Sequence, residues 1–309
     1  MITVRKTQPN GLITLEEPTQ GSWLNVIDPT ALEIDQLQSL GIPLDYITYP
    51  LDVDERARTE RENGDLLIVL RVPYYQGENA DIPYNTLPLG IIMTPTMIVT
   101  ICKRPIDILE SFATGRVRNL STAKFIRFVL HIFLKTAERY LNHVREINKK
   151  VDIVEDQLQL STRNKELLEL LKYQKSLTIF TTSLKSNELM MERLQRSQLF
   201  KLYPEDEDLL EDVLTENQQA IEMTNIAANI LSAMMDAFAS IISNNLNVVM
   251  KLLASITIVV SLPTMVFSFY GMNIILPFQG HDLAFLIVFA ASIVISLSAV
   301  WVFVKRGLF

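Results

Sequence analysis

Two long runs without a charged residue, residues 252–280 and 283–304, lie near the end of this chain. Each run provides the roughly 20 residues that an α-helix needs to cross about 30 Å of hydrocarbon. Because only residues 271–282 separate the two helical parts, the spans must form a hairpin whose two ends lie on the same side of a membrane. A chain with these runs is expected to be a membrane protein.

Positive charges flank this hairpin on one side only. Lys251 precedes the first span, and Lys305 and Arg306 follow the second, whereas residues 271–282 include no Lys or Arg. Because the cytoplasmic flanks of membrane helices are enriched in Lys and Arg, both termini are predicted to lie in the cytoplasm. We therefore expect a multi-pass protein of the plasma membrane, with the lipid bilayer as its surroundings and about 250 residues inside the cell.

Composition excludes several classes of function. The formal net charge of −7 argues against nucleic acid as a partner and is compatible with a surface that handles cations. Cys102 is the only cysteine, which excludes an internal disulfide and a multi-cysteine metal cluster. The chain has no Gly-rich phosphate loop, no pair of histidines at ligand spacing and no nucleophile motif, so neither an enzyme nor a bound cofactor is expected. His131 and His143 are interpreted as helix-surface residues.

The pattern of apolar residues divides the rest of the chain. Up to residue 105, short β-rich runs alternate with turns and with a helix over 30–40, which predicts a compact α/β domain. The β-rich runs are "SWLNVIDP", "DLLIVLRVPYY", "LPLGIIMT" and "MIVTICKRP". Helical spacing then predicts two antiparallel helices around a turn at 161–164, with Asn164 as the N-cap. The predicted fold class is an α+β membrane protein. Its parts are a cytoplasmic α/β domain (1–105), a cytoplasmic helical hairpin region (106–203), a long stalk helix (204–270) that includes the first span (about 248–270), an extracellular loop (271–282), a second transmembrane helix (283–304) and a basic tail (305–309).

A polar stripe follows one face of the predicted stalk helix. Steps of four and three residues from Asp208 reach Asp212 and Asp236 and then enter the apolar run. A mean step of about 3.5 residues keeps one face toward the axis of a left-handed helical bundle. Within the membrane part the flanking positions are mostly Leu, Ile, Val and Phe, while the stripe visits Asn247, Met250, Ala254, Thr257, Ser261, Thr264 and Ser268.

Two interpretations of this stripe are open. Small hydroxyl residues allow membrane helices to pack closely, and their hydroxyl groups then bond to the preceding turn. A polar seam also fits helices arranged around water, and because one hairpin cannot enclose water, this interpretation needs symmetric copies of the chain. The continuation of the stripe into an acidic aqueous segment favours a conduction path.

A motif ends the first span: Tyr270-Gly271-Met272-Asn273, followed by a short loop, a second span and a basic tail. At this position the motif resembles the signature of the CorA family of divalent metal-ion transporters. The stretches "DERARTERENGDLLIVLRVPYY" (54–75) and "ILSAMMDAFASIISNNLNVVMKLL" (230–253) also resemble this family. The resemblance implies a homopentameric funnel in which five copies of the first span surround a pore and the second span lies outside them.

The resemblance also implies roles for individual residues. Gly271, Met272 and Asn273 would form the selectivity filter, in which a ring of Asn273 amides holds a hydrated cation at the outer mouth. The implied pore-lining positions nearly coincide with the stripe: Asn247, Met250, Leu253, Thr257, Ser261 and Thr264. A regulatory Mg²⁺ site would include Asp212. Its partner acid would fall near Gln76, where this chain has no carboxylate, so Glu78 or Asp81 is the candidate substitute.

The expected function is influx of Mg²⁺, with Co²⁺ or Ni²⁺ as further candidate cargoes, under regulation by cytosolic Mg²⁺. One alternative is a ZntB-like zinc transporter, since these proteins share the Gly-Met-Asn signature and this loop lacks the acidic segment found after the motif in many magnesium channels. A second alternative is a membrane-anchored coiled-coil scaffold without a pore.

Overall fold

The computed structural model describes residues 1–9, 11–115, 117, 120–160, 164–196, 204–273 and 283–307. The chain divides into two compact units, Met1–Ala233 and Met234–Phe309. The first unit contains a β-sheet with helices on both faces, and the second contains the two apolar runs. The predicted combination of an α/β domain, a long helix and two apolar C-terminal helices is confirmed.

A seven-stranded sheet forms the centre of the first unit, in the order β2-β1-β3-β7-β6-β5-β4. Only β3 and β7 pair in parallel, and the other neighbours are antiparallel. The inner strands are apolar on both faces because helices cover both sides of the sheet. The strands are β1 Ile2–Gln8, β2 Gly11–Leu15, β3 Ser22–Ile27, β4 Arg58–Glu62, β5 Asp65–Tyr75, β6 Tyr84–Met93 and β7 Met97–Cys102.

Two hydrophobic cores lie on opposite faces of this sheet. Alternation along each strand decides which core a residue joins, so that Trp23 lies in one core and Leu24 in the other. The shorter helices α1 Ala31–Ser39 and α2 Leu44–Thr48 supply Leu37, Tyr46 and Ile47 to the second core. The first core includes residues from α3 Asp107–Ala113, α4 Phe125–Leu160, α5 Asn164–Arg196 and the beginning of α6 Pro204–Tyr270.

Most of the predicted elements are present. Helix α1 is preceded by Thr30, whose hydroxyl accepts a hydrogen bond from the Glu33 amide while the Glu33 carboxylate accepts one from the Thr30 amide, a capping box. Helix α5 begins at Asn164 itself, and the predicted turn at 161–163 lies outside the described residues. Cys102 is fully buried, and burial raises the pKa of its thiol to about 11.

The second unit contains two helices that are long and apolar enough to cross a membrane. They are the C-terminal part of α6, which continues through Pro263 to Tyr270, and α7 Ala284–Lys305. The proline does not end the helix, and this agrees with the tolerance of membrane helices for proline.

The interpretation of His143 as a helix-surface residue is wrong. Its side chain is buried, its ring centroid lies 5.1 Å from that of Tyr84, and Nδ1 lies 3.0 Å from Oε2 of Glu146. Burial lowers the pKa of His143, which favours the neutral ring. The helical spacing around this residue did not reveal its burial. The sheet and α5 cover a wider part of α4 than its apolar residues occupy, so the polar His143 is buried as well.

An asparagine side chain takes the place of a missing strand at the edge of β5. Strand β4 pairs with β5 only from Asp65 to Val69, so the β5 backbone beyond Val69 has no strand partner on that edge within the described residues. There the Arg71 amide donates to Oδ1 of Asn187 (2.9 Å), and the Arg71 carbonyl accepts from Nδ2 of Asn187 (2.8 Å) and from the Tyr140 hydroxyl (3.0 Å). Asn187 is fully buried on α5, and it fixes this helix to the sheet through the backbone.

Replacing Asn187 with Leu, which has a similar volume, is predicted to destabilise the first unit by about 2 kcal/mol, because a buried amide loses its acceptor and the carbonyl loses one of its two donors. For a domain of this size the expected decrease in melting temperature is about 4–8 °C. The measurement is thermal unfolding of the purified protein in detergent, with the exposed Asn142→Leu on α4 as a matched control. A melting temperature of Asn187→Leu equal to that of the control would show that the asparagine is not needed.

Candidate functional site

The polar stripe predicted on α6 is uncovered along its membrane part. The side chains at the predicted pore positions are all exposed, namely Asn247, Met250, Leu253, Ala254, Thr257, Ser261, Thr264 and Ser268. The stripe therefore presents amide and hydroxyl groups outward from a helix whose other residues in this part are mainly apolar.

The covered face of α6 lies on the other side of the helix. Between Lys251 and Gly271 the buried or half-buried positions include Ser255, Val259, Leu262, Val266 and Tyr270. At about 100° per residue this set points roughly opposite to the stripe. The described ring contact between α7 and α6 lies outside the stripe, where the rings of Phe267 and Phe289 stack with their centroids 6.4 Å apart.

The hydroxyl groups of the stripe donate to their own helix. Thr257 donates to the carbonyl of Leu253 (2.8 Å), and Thr264 donates to the carbonyl of Val260 (3.1 Å). Ser261 likewise donates to the carbonyl of Ile258 at 2.8 Å. A hydroxyl group has one hydrogen and two lone pairs, so these oxygens offer only acceptors to their surroundings. Acceptors are what the hydrogen atoms of cation-bound water require.

A groove of about 640 Å³ follows the outer half of the stripe. It is lined by Ile256, Thr257, Val260, Ser261, Thr264, Met265 and Ser268. Toward the other end, Met250 and Leu253 are 56 % and 58 % exposed, which puts two large apolar side chains on the same uncovered face. The uncovered face of α6 in one chain is therefore polar from Thr257 to Ser268 and apolar at Met250 and Leu253.

The Tyr-Gly-Met-Asn motif lies where α6 ends. The amide of Gly271 donates to the carbonyls of Phe267 (2.9 Å) and Ser268 (3.2 Å), which closes the last turn. A Cβ atom at Gly271 would lie 3.3 Å from the Phe267 carbonyl oxygen, so glycine allows the chain to pass close to the end of the helix. Met272 and Asn273 follow with exposed side chains, and residues 274–282 lie outside the described residues.

The three candidate regulatory acids are not brought together within one chain by any described contact. Asp212 is exposed on α6. Glu78 pairs with Lys150 (2.6 Å), and Asp81 pairs with Lys175 (2.9 Å). The hydrogen bond from Lys150 lowers the pKa of Glu78. Among the residues that the structure describes, no group of three or more His, Cys, Asp or Glu side chains is placed to hold a metal ion.

Lys150 and Lys175 were not predicted as part of any site. They lie on separate helices, α4 and α5, and they meet the two acids only because both helices pack across the end of the β5–β6 hairpin. No spacing in the sequence marks such contacts.

The fold is that of a membrane protein with an N-terminal α/β domain, a long helix and two C-terminal helices that are long and apolar enough to cross a bilayer. A family model described as "CorA-like Mg2+ transporter protein" matches residues 19–306. The chain belongs to this family, whose members are transporters and not enzymes. It is thus a homologue of divalent-cation transporters.

Comparison with individual proteins agrees with this assignment. The chain is 27 % identical over 297 residues to a cobalt/magnesium transport protein CorA from Methanocaldococcus jannaschii, covering 92 % of this chain and 90 % of that protein. The complete structure of the CorA magnesium transporter from Methanocaldococcus jannaschii shares the fold with a TM-score of 0.86 at 24 % identity, covering 100 % of this chain and 99 % of the other. The ZntB cytoplasmic domain from Vibrio parahaemolyticus also shares the fold, with a TM-score of 0.60 at 11 % identity, over 79 % of this chain and 97 % of that domain.

Single cysteines placed on α6 are predicted to separate the two faces of the helix. In proteoliposomes, Thr257→Cys and Thr264→Cys should react with a membrane-impermeant thiol reagent at least about tenfold faster than Val259→Cys and Val266→Cys, because thiolates form only where water is present. The native Cys102 gives little background, since it is buried and its pKa is raised to about 11. Equal rates at all four positions would contradict a water-facing stripe.

Proposed function

We propose that this protein mediates Mg²⁺ influx as a homopentamer in which five copies of α6 line a pore. The observation that carries the proposal is the uncovered polar stripe, which lies opposite the covered face of α6 and ends at the Gly-Met-Asn motif. Polar side chains that face hydrocarbon without partners are unfavourable, and symmetric copies around an aqueous axis remove that cost. The cobalt/magnesium transport function of the relative from Methanocaldococcus jannaschii supports the same cargo.

The proposed filter acts on a hydrated ion. Mg²⁺ loses its bound water reluctantly, so a pore that stripped the ion would present a large barrier. Neutral oxygens avoid this, because they accept hydrogen bonds from the ion's water without binding the ion tightly. A ring of Asn273 amides at the outer mouth, followed by the acceptors of Thr264, Ser261 and Thr257, would provide such a path. Tyr270 and Gly271 end the helix so that Met272 and Asn273 can face the axis.

The inner part of the proposed pore is suited to closing. Met250 and Leu253 would form an apolar belt in each of the five copies, and a narrow apolar belt can block ions by losing its water. With both termini in the cytoplasm and the protein in the plasma membrane, the membrane potential drives entry. At 100 mV this contributes about 4–5 kcal/mol for a divalent ion.

Cytosolic Mg²⁺ is proposed to hold the pore closed. Asp212 on α6 is the first candidate ligand, because its carboxylate is exposed. Glu78 and Asp81 are the candidate partners from the β5–β6 loop of a neighbouring copy, and both are also more than two-thirds exposed as side chains. Oxygen ligands from exposed carboxylates suit Mg²⁺, which keeps several of its waters in protein sites.

A zinc transporter is the second candidate function, and the fold shared with the ZntB cytoplasmic domain is compatible with it. Flux measurements in proteoliposomes decide between the two. We expect Mg²⁺ uptake that depends on the membrane potential, and Zn²⁺ uptake without Mg²⁺ uptake would replace the proposed cargo. A protein that carries neither ion would support a scaffold without a pore.

Asn273→Ala is the most informative single substitution in that assay. Removing the amide ring is predicted to lower Mg²⁺ uptake at least about tenfold, because the hydrated ion loses its first acceptors at the mouth. Asn245→Ala, on α6 but outside the stripe, serves as the matched control and should transport normally. Normal uptake by a correctly assembled Asn273→Ala oligomer would refute the proposed filter.

A further inference from the structure

The loop that joins β5 to β6 carries two carboxylates, and each is held by a lysine from a different helix. Oε1 of Glu78 lies 2.6 Å from Nζ of Lys150 on α4. Oδ2 of Asp81 lies 2.9 Å from Nζ of Lys175 on α5. The two helices therefore each form an ion pair with one carboxylate of a short loop.

Two tyrosine rings contact Lys150 in addition to its partner acid. Its ammonium group lies 5.3 Å from the ring centroid of Tyr75 and 5.9 Å from that of Tyr84. Burial lowers the pKa of Lys150, but the hydrogen bond to Glu78 and the neighbouring tyrosines outweigh it, so that the pKa is raised overall. An ammonium group over aromatic faces and beside a carboxylate occupies a site already shaped for a cation.

The ion pair between Lys175 and Asp81 is expected to be weaker than the pair between Lys150 and Glu78, because its lysine is more exposed to water. The side chain of Lys175 is 43 % exposed, whereas that of Lys150 is 26 % exposed. No aromatic contact is described for Lys175 in this structure. Exposed ion pairs contribute little, because water and salt screen both charges. Displacing Lys150 should therefore be harder than displacing Lys175.

We infer that Lys150 and Lys175 act as built-in counter-cations of the β5–β6 loop, so that a divalent cation that binds Glu78 or Asp81 competes with an ammonium group for the carboxylate. The inference rests on the proposed regulation by cytosolic Mg²⁺. It says that these two lysines set the Mg²⁺ concentration at which the pore closes. Because an ammonium group competes with Mg²⁺ for the same carboxylate, removing it should allow Mg²⁺ to bind that carboxylate at a lower concentration.

Hydrogen exchange of the loop in the full-length protein tests the inference directly. The reporters are the amide of Gln76, which donates to the carbonyl of Pro83 (2.8 Å), and the amide of Ala80, which donates to that of Gly77 (3.3 Å). In the wild type we expect equal exchange with and without Mg²⁺ in the low millimolar range. In Lys150→Gln, exchange without Mg²⁺ should be at least about threefold faster and should return toward the wild-type rate as Mg²⁺ is added.

Two further variants complete the design. Lys175→Gln should show the same change to a smaller extent, and Lys149→Gln, the exposed neighbour on α4, should behave as the wild type. In flux assays, Lys150→Gln should be inhibited at a several-fold lower Mg²⁺ concentration on the cytoplasmic side. A wild-type loop that becomes protected only when Mg²⁺ is added, or a Lys150→Gln loop that exchanges as the wild type does, would overturn the inference. Absence of Mg²⁺ flux in the wild type would instead overturn the proposed function and leave the exchange result valid.

Discussion

The inability of hydrocarbon to accept or donate hydrogen bonds is the constraint on which the rest of this structure depends. Helix α6 satisfies its backbone internally, and Thr257, Ser261 and Thr264 also turn their hydroxyl hydrogens onto it. What they cannot satisfy internally is the remaining acceptor capacity of each oxygen, together with the exposed amide of Asn247. That acceptor capacity is available to water or to another polar partner, and the described ring contact of α7 with α6 lies at Phe267, outside the stripe.

The first unit also contains backbone groups that cannot bond freely to water. Its sheet is covered on both faces, so the unpaired backbone of β5 beyond Val69 cannot reach water freely and receives the amide of Asn187 instead. Arg71 is the β5 residue whose backbone bonds to Asn187, and its guanidinium group donates to the backbone carbonyls of Val53, Glu55 and Thr86. One position on β5 thus links α5, the segment before β4 and strand β6. Polar atoms in this unit organise the packing, and the apolar residues fill the space between them.

The sequence predicted those elements whose composition matches their surroundings. The C-terminal part of α6 and helix α7 follow from uncharged runs long enough to cross a membrane, and β5, β6 and β7 follow from continuous apolar stretches, because helices cover both faces of these strands. No strand was predicted at β1, β2 or β4. Strands β2 and β4 are the edges of the sheet, where polar residues such as those of "RTERE" are allowed, and β1 next to an edge is also rich in polar residues ("ITVRKTQ"). His143 and Lys150 were misjudged or overlooked because their environment comes from segments distant in sequence.

The site residues show the same division. A stripe on one helix can be found from spacing alone, because all of its members share one axis. Contacts between Glu78 and Lys150 or between Asp81 and Lys175 depend on how two helices cross the end of a hairpin, and no periodicity records this. The exposed state of the stripe likewise required the position of α7, which decides whether hydroxyl residues serve packing within the hairpin or face outward.

The chemistry of the stripe limits what it can select. Residues 247–273 include no His or Cys, the side chains that usually bind Zn²⁺, and their sulfur atoms are all methionine thioethers. Amide and hydroxyl oxygens bond to the water molecules around an ion, so they do not distinguish ions by their preference for nitrogen or sulfur ligands. In the proposed pore, discrimination among hydrated divalent ions would then depend on the diameter of a ring of Asn273 side chains and on how readily each ion keeps its water shell. Mg²⁺ gives up its water reluctantly, and the neutral oxygens along the proposed path suit an ion that keeps its water shell.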